Sequence, residues 1–181
     1  MNKYILIGIP HCGKTTLGRQ VAEILNMDFF DTDLLTVEKM GMQSPLDFFR
    51  NALNGQFLYG QLKVMIELAE LNKPALIATG AEVALMPECA KLMKTMGTVI
   101  HVQRKPDVVI AGLKNDGKNR LVLVEQESGT VIDTQEKSVE LYSQELEQYK
   151  ALADVMLEND GSEEEGVKNL VSLINSLTSK G

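Results

Sequence analysis

The sequence has few of the residues that build metal sites and disulfide frameworks, and no long apolar run. Only two of its 181 residues are cysteine and two are histidine. We therefore expect no structural zinc site and no disulfide framework, and predict a reduced, cytoplasmic protein. No apolar stretch approaches the roughly 20 residues that a bilayer-spanning helix needs. The first ten residues do not have the pattern of a signal peptide.

Positive charge is also scarce. Eighteen Lys and Arg against 25 Asp and Glu give a net charge of −7, which argues against nucleic acids and anionic membranes as partners. The length and the 44% hydrophobic content fit one compact domain, residues 1–181. A small molecule is the expected partner. A monomer is expected, with a weak homodimer as the alternative.

Predicted strands and helices alternate along the chain. The strands are Tyr4–Ile9, Asp28–Phe30, Ala75–Thr79, Thr98–Val102 and Asp154–Leu157. The helices are Lys14–Leu25, about Leu58–Leu71, Pro87–Met96, about Thr134–Ala153, and a last helix that begins at a capping box of Ser162 and Glu165. This alternation predicts an α/β fold whose parallel sheet carries helices on both faces.

Two long segments fit the predicted sheet poorly. Residues 33–60 are mixed in character and broken into short helical pieces, and residues 114–133 are polar and charged. Loops of this length usually form lids or binding loops. We expect a substrate-binding insertion and a lid, with disordered surface insertions as the alternative.

The most informative motif lies between the first strand and the first helix. It reads Gly8-Ile9-Pro10-His11-Cys12-Gly13-Lys14-Thr15. The backbone N–H groups of such a loop bind phosphate oxygens at a helix N-terminus. Lys14 is expected to reach the β- and γ-phosphates, and the Thr15 hydroxyl to ligate Mg²⁺. The predicted ATP-binding residues are Gly8, His11, Cys12, Gly13, Lys14, Thr15 and Thr16.

Polar residues follow two of the predicted strands. Asp31 and Asp33 come after the second strand, and Gly80 after the third. Catalytic clefts of open α/β sheets lie at these carboxyl ends. Alternation in an extended segment would put both carboxylates on one side, Asp31 toward Mg²⁺ and Asp33 toward an acceptor hydroxyl. Arg120, in the lid segment, is the predicted mobile cation for the phosphates.

Together these motifs resemble the shikimate kinase family. The loop, Asp31-Thr32-Asp33, Ala78-Thr79-Gly80, Arg120 and the ending Tyr149-Lys150-Ala151-Leu152-Ala153-Asp154 carry the resemblance. It implies a nucleoside-monophosphate-kinase-like P-loop fold with strand order 2-3-1-4-5, a substrate insertion and a lid. It also implies Mg²⁺ at Thr15 and Asp31, the acceptor hydroxyl at Asp33, and ATP at Arg120.

The acceptor side departs from the family pattern. Where the family has Phe-Arg-x-x-Glu, this chain reads Leu58-Tyr59-Gly60-Gln61-Leu62, and Glu145 stands at a second family arginine. Tyr59, Gly80 and Glu145 join Asp33 as predicted substrate-binding residues. Two lost arginine–carboxylate pairs would weaken shikimate binding by roughly a hundred-fold or more. Arg50 is a candidate replacement cation.

The prediction is therefore a small-molecule kinase that uses ATP and Mg²⁺. Shikimate is the acceptor implied by the resemblance, and another polyol or hydroxy acid is the alternative. A nucleotide-binding regulatory protein without turnover is the competing class. The retention of both Asp31 and Asp33 favours the enzyme, because a binding protein needs no carboxylate at the acceptor.

Overall fold

The computed structural model describes residues 2–42, 56–115 and 145–179. Within them, five parallel strands form one sheet in the order β2-β3-β1-β4-β5, which confirms the predicted fold class and strand order. The strands are β1 Lys3–Ile7, β2 Asp28–Asp31, β3 Ala75–Ala78, β4 Thr98–Gln103 and β5 Val155–Glu158.

Helices follow each strand. They are α1 Lys14–Ile24, α2 Thr32–Lys39, α3 Gln56–Glu70, α4 Ala81–Leu85, α5 Pro87–Met96, α6 Pro106–Asn115, α7 over residues 145–152, and α8 Glu163–Thr178. The capping box of Ser162 and Glu165 is confirmed at the start of α8. None of the helices in the described ranges is long and apolar enough to cross a membrane.

The sheet is covered on both faces. All five residues of β1 are buried, and successive side chains of a strand point to opposite faces, so neither face of β1 meets solvent. Helix α1 packs against α8, and α3 packs against α2 and α5. Because helices cover both faces, the sheet is accessible at the carboxyl ends of its strands, where polar residues follow.

The connection after β2 differs from the prediction. The chain leaves the extended conformation directly after Asp31, and Thr32 is already the first residue of α2. Asp31 is the N-cap of this helix, and its side chain accepts hydrogen bonds from the Asp33 and Leu34 backbone N–H groups. The expectation that an extended segment carries Asp31 and Asp33 was therefore wrong, although both residues line the same cleft.

Parts of both predicted binding segments lie outside the described residues. These parts are 43–55 of the insertion and 116–133 of the lid, with Arg50 and Arg120 among them. Of the predicted helix Thr134–Ala153, residues 145–153 are described, and the helix runs over 145–152. Within the insertion, α2 is one of the short helical pieces that the sequence predicts.

Candidate active site

The loop between β1 and α1 has the backbone conformation that convergent N–H groups require. Gly8 and Gly13 have φ angles of 140° and 103°, which L-residues with a side chain rarely adopt. Gly8 also lies so close to β4, the neighbour of β1 in the sheet, that a Cβ at this position would be 2.6 Å from the Val102 carbonyl oxygen. The loop therefore needs glycine at both ends, and it delivers its amides to the start of α1.

Lys14 is held inside this loop. Its Nζ donates to the Gly8 carbonyl at 2.6 Å and to the Ile9 carbonyl at 2.8 Å, and the residue is only 8% exposed. The ammonium group is thus desolvated but satisfied by main-chain oxygens. A phosphate entering the loop would offer charged oxygens in place of these carbonyls, and charge-assisted bonds are the stronger ones.

Thr15 and Asp31 meet at the mouth of the loop. The Thr15 hydroxyl donates to Asp31 Oδ2 at 2.7 Å, while Asp31 Oδ1 caps α2. The cap fixes the direction of the carboxylate, so its second oxygen faces Thr15. A hydroxyl and a carboxylate side by side are hard oxygen donors, which suits Mg²⁺.

Asp33 and Gly80 form the opposite end of the site. A Cβ at Gly80 would collide with Asp33 Oδ1, so the absence of a side chain lets the carboxylate lie against the backbone that follows β3. The Gly80 N–H donates to the Thr32 hydroxyl at 2.9 Å, which ties this backbone to the first turn of α2.

One cleft joins these two ends. It has a volume of about 340 Å³ and is lined by Pro10, His11, Gly13, Lys14, Thr15, Thr16, Asp31, Asp33, Thr79, Gly80, Ala81 and Arg104. The phosphate-binding loop and the Asp33 carboxylate therefore open onto the same space. The arrangement brings a phosphate-binding loop and a carboxylate to one solvent-accessible space.

Comparisons with known proteins agree with this geometry. The family model described as shikimate kinase matches residues 10–175. The chain belongs to this family. The shikimate kinase of Enterococcus faecalis is 28% identical over 145 residues, which cover 80% of this chain and 84% of the relative. That of Francisella tularensis subsp. novicida is 27% identical over 171 residues, covering 94% and 91%.

Solved structures show the same fold. A shikimate kinase from Acinetobacter baumannii in complex with shikimate matches with a TM-score of 0.81 at 24% identity, covering 97% of this chain and 94% of that one. Shikimate kinase family membership confirms the resemblance drawn from the motifs. It makes the chain a small-molecule kinase that transfers phosphate to a hydroxyl group.

Most of the residues predicted for the site line the cleft, but not all. Cys12 is fully buried within the loop, its N–H donates to the Ile9 carbonyl and its own carbonyl accepts from Asn159, and it does not line the cleft. Tyr59 is 60% exposed and is not among the described residues that line the cleft. Lys63 Nζ lies over its ring, 4.6 Å from the centroid. The structure gives no support to a substrate contact by Tyr59, because the helix turns it away from the buried face of α3. Arg120 lies outside the described residues.

Glu145 is half-buried on α7 and is not among the described residues lining the cleft. Burial, and then the negative charge of Glu82, raise the pKa of its carboxyl. The charge of Lys14 and a hydrogen bond with Tyr149 act in the opposite direction. Glu145 therefore lies close enough to Lys14 of the loop for the two charges to interact.

Three functional candidates were missed by the sequence analysis. Arg104 lines the cleft and its Nη1 lies 3.5 Å from the His11 carbonyl. Asn159 is buried and donates from Nδ2 to the Cys12 carbonyl at 2.9 Å, which braces the loop. Arg104 follows the end of β4 and Asn159 follows the end of β5. The rule that selected Asp31 and Gly80, polar residues at the carboxyl ends of strands, could therefore have found both. The third, Gln61, is a polar residue at an apolar helical position.

His101 is a core residue whose imidazole is not fully hydrogen-bonded. It is 1% exposed, and its Nδ1 has no hydrogen-bond partner in the described part of the chain. Its ring lies 5.4 Å from the ring of Tyr149. Burial, followed by the charges of Lys14 and Lys150, lowers the pKa of His101 to about 4. The imidazole is therefore neutral at physiological pH.

Proposed function

We propose that the protein transfers the γ-phosphoryl group of ATP, with Mg²⁺, to a hydroxyl group of a small metabolite, and that shikimate is the first acceptor to test. The observation that carries the proposal is the shared cleft. Lys14 and the loop amides stand at one end of it and the Asp33 carboxylate at the other. A kinase of this kind works by positioning and electrostatics, and the cleft offers both.

At the donor end, the loop amides and Lys14 would hold the phosphates. Arg104 adds a cation beside His11, and Asn159 keeps the loop in shape from behind. Thr15 and Asp31 would hold Mg²⁺, which when bound neutralises phosphate charge. The Thr15 hydroxyl and the Asp31 carboxylate are 2.7 Å apart, and this closeness supports a shared metal site.

At the acceptor end, Asp33 would receive the hydroxyl. The acceptor oxygen forms a bond to the γ-phosphorus as the bond to the leaving ADP oxygen breaks, and the hydroxyl proton passes to Asp33. Gly80 leaves the space for this approach, because any side chain there would displace the carboxylate. The products are ADP and the phosphorylated acceptor.

A second acceptor class is favoured by one observation. Glu145 and Glu82 lie close enough to each other for their charges to interact, and negative charge beside the cleft would repel a carboxylate such as that of shikimate. An uncharged polyol would avoid this repulsion. Arg50, at a position outside the described residues, is the cation to test if shikimate proves to be the acceptor.

The test is ADP release with Mg²⁺ and ATP, measured alone and with shikimate, hydroxy acids, sugars, polyols and nucleoside monophosphates. Stimulation by shikimate alone supports the first acceptor. Stimulation by an uncharged polyol but not by shikimate replaces the acceptor and keeps the reaction. No stimulation by any of them contradicts the proposal and favours a nucleotide-binding regulatory protein.

A further inference from the structure

Gln61 is a buried amide on the apolar face of a helix. It is fully buried on α3, in a helical series with Phe57, Val64, Met65 and Leu68. Its Nε2 donates to Asp33 Oδ1 at 2.9 Å. The assignment of the donor is chemically required, because an ionised carboxylate can only accept.

The burial of this amide is costly. Gln61 Oε1 is buried and has no hydrogen-bond partner in the ranges that the structure describes. A buried polar atom without a partner destabilises a fold, and an apolar side chain would fit the series on α3 without that cost. The hydrogen bond from Gln61 to Asp33 is the interaction that an apolar side chain at this position could not make.

The contact fixes one oxygen of the acceptor-side carboxylate. Asp33 Oδ1 lies between the Gln61 amide, 2.9 Å away, and the backbone at Gly80. The Gly80 N–H in turn bonds to Thr32 Oγ1, and the Thr36 hydroxyl bonds to the Thr32 carbonyl at 2.7 Å. Three elements, α2, α3 and the segment after β3, therefore meet at this carboxylate.

We propose that Gln61 is a positioning residue for phosphoryl transfer: its amide holds Asp33 in the orientation that receives the acceptor hydroxyl. The inference rests on the proposed function, because it assigns Asp33 its role there. A neutral donor suits the task, since it fixes the carboxylate without adding charge. A carboxylate at position 61 would face Asp33 with two like charges in contact.

The experiment compares kcat, acceptor KM and ATP binding in three variants and the parent. Gln61→Leu keeps the volume and removes the hydrogen bond. Gln61→Glu keeps the shape and replaces the donor by an acceptor. Gln56→Leu is the matched control, because Gln56 is exposed on the same helix. We expect kcat to fall by roughly 10- to 100-fold in Gln61→Leu and further in Gln61→Glu, because misoriented catalytic groups cost about this much. ATP binding by both Gln61 variants should stay within about two-fold of the parent. The activity of Gln56→Leu should also stay within about two-fold of the parent.

A double exchange separates the contact from general damage to the fold. Asp33→Asn combined with Gln61→Glu reverses donor and acceptor, so it should recover the melting temperature lost in Gln61→Glu while remaining inactive. Full kcat in both Gln61 variants of an active parent overturns the positioning role and leaves the proposed function standing. Additive melting temperatures across the cycle overturn the contact itself. A parent that phosphorylates no hydroxyl acceptor overturns the proposed function, and the positioning role falls with it.

Discussion

The two ends of the cleft are built in different ways. The nucleotide end is built around one contiguous segment, Gly8 to Thr15, to which Asp31 and Arg104 add side chains from other elements. Within the segment Lys14 bonds to main-chain carbonyls, and Asn159 braces it through the Cys12 carbonyl. The acceptor end is assembled from side chains on separate elements, with Asp33 on α2 and Gln61 on α3. Main-chain recognition tolerates side-chain change, whereas side-chain recognition does not. A single side-chain substitution should therefore change the chemistry of the acceptor end more readily than that of the nucleotide end.

The nucleotide end can be broken alone by Lys14→Ala. We expect turnover to fall by about 1,000-fold or more, because the variant removes the cation that faces the phosphates. The loss should appear with every acceptor. Steady-state ADP release measures it, and circular dichroism checks that the fold survives.

The matched control is Lys63→Ala, on the exposed face of α3. Turnover of Lys14→Ala close to the parent rate would contradict the assignment of the loop.

The acceptor end can be broken alone by Asp33→Asn. Asparagine keeps an oxygen for the Gln61 amide, so the geometry survives while the proton acceptor is lost. We expect kcat for transfer to fall by roughly 100- to 1,000-fold with the ATP dissociation constant nearly unchanged. Single-turnover kinetics and calorimetric ATP titration measure the two effects.

Asp107→Asn, an exposed change in the first turn of α6, is the control. Transfer at the parent rate in Asp33→Asn would remove Asp33 from the acceptor site.

These two ends also differ in how far the sequence predicts them. The strand, the loop and the start of α1 are neighbours in the chain, so local pattern was enough to place Lys14 and Thr15. Gln61 and Asp33 are 28 residues apart and meet only through packing of α3 on α2. Tyr59, on the same helix, was the predicted substrate contact, although the spacing from Phe57 puts Gln61 on the buried face. Asp31 was selected as a carboxylate, but its capping of α2 depends on where the strand ends.

A smaller effect would sharpen the description of the nucleotide end. Arg104 is a cation of the cleft that comes from the end of β4 rather than from the loop. We expect Arg104→Gln to raise the KM for ATP about 10-fold with little change in acceptor KM, since one charge-assisted contact is lost.

Lys105→Gln is the control, because Lys105 is the next residue and its amine pairs with Asp160. An unchanged KM for ATP in Arg104→Gln would show that the cation does not contact the nucleotide.

The smallest expected effect is on the pH dependence of the free energy of unfolding, and it comes from the buried His101. The pKa of His101 is lowered to about 4 in the fold, against about 6.5 for an exposed imidazole. Below pH 6.5 the unfolded chain binds the proton and the folded chain does not, so stability is lost as the pH falls from 6.5 toward 4. Between pH 7.5 and 5.5 this loss should be about 1 kcal/mol.

Urea unfolding of the parent and of His101→Gln at both pH values isolates the contribution. The pH-dependent loss should be smaller in the variant by that amount. His11→Gln is the matched histidine substitution at an exposed site. An equal pH-dependent loss in the parent and in His101→Gln would show that the buried imidazole makes no such contribution.

The most direct test of the shared cleft is to follow the phosphate itself. ATP labelled in its γ-phosphate would be incubated with Mg²⁺ and either the parent protein or Asp33→Asn. Each protein would be given shikimate in one reaction, an uncharged polyol in another, and no acceptor in a third. Our prediction is that the parent moves the label into a phosphorylated hydroxyl compound and that Asp33→Asn does not. Label that appears only as inorganic phosphate, at the same rate with and without every acceptor, would contradict it.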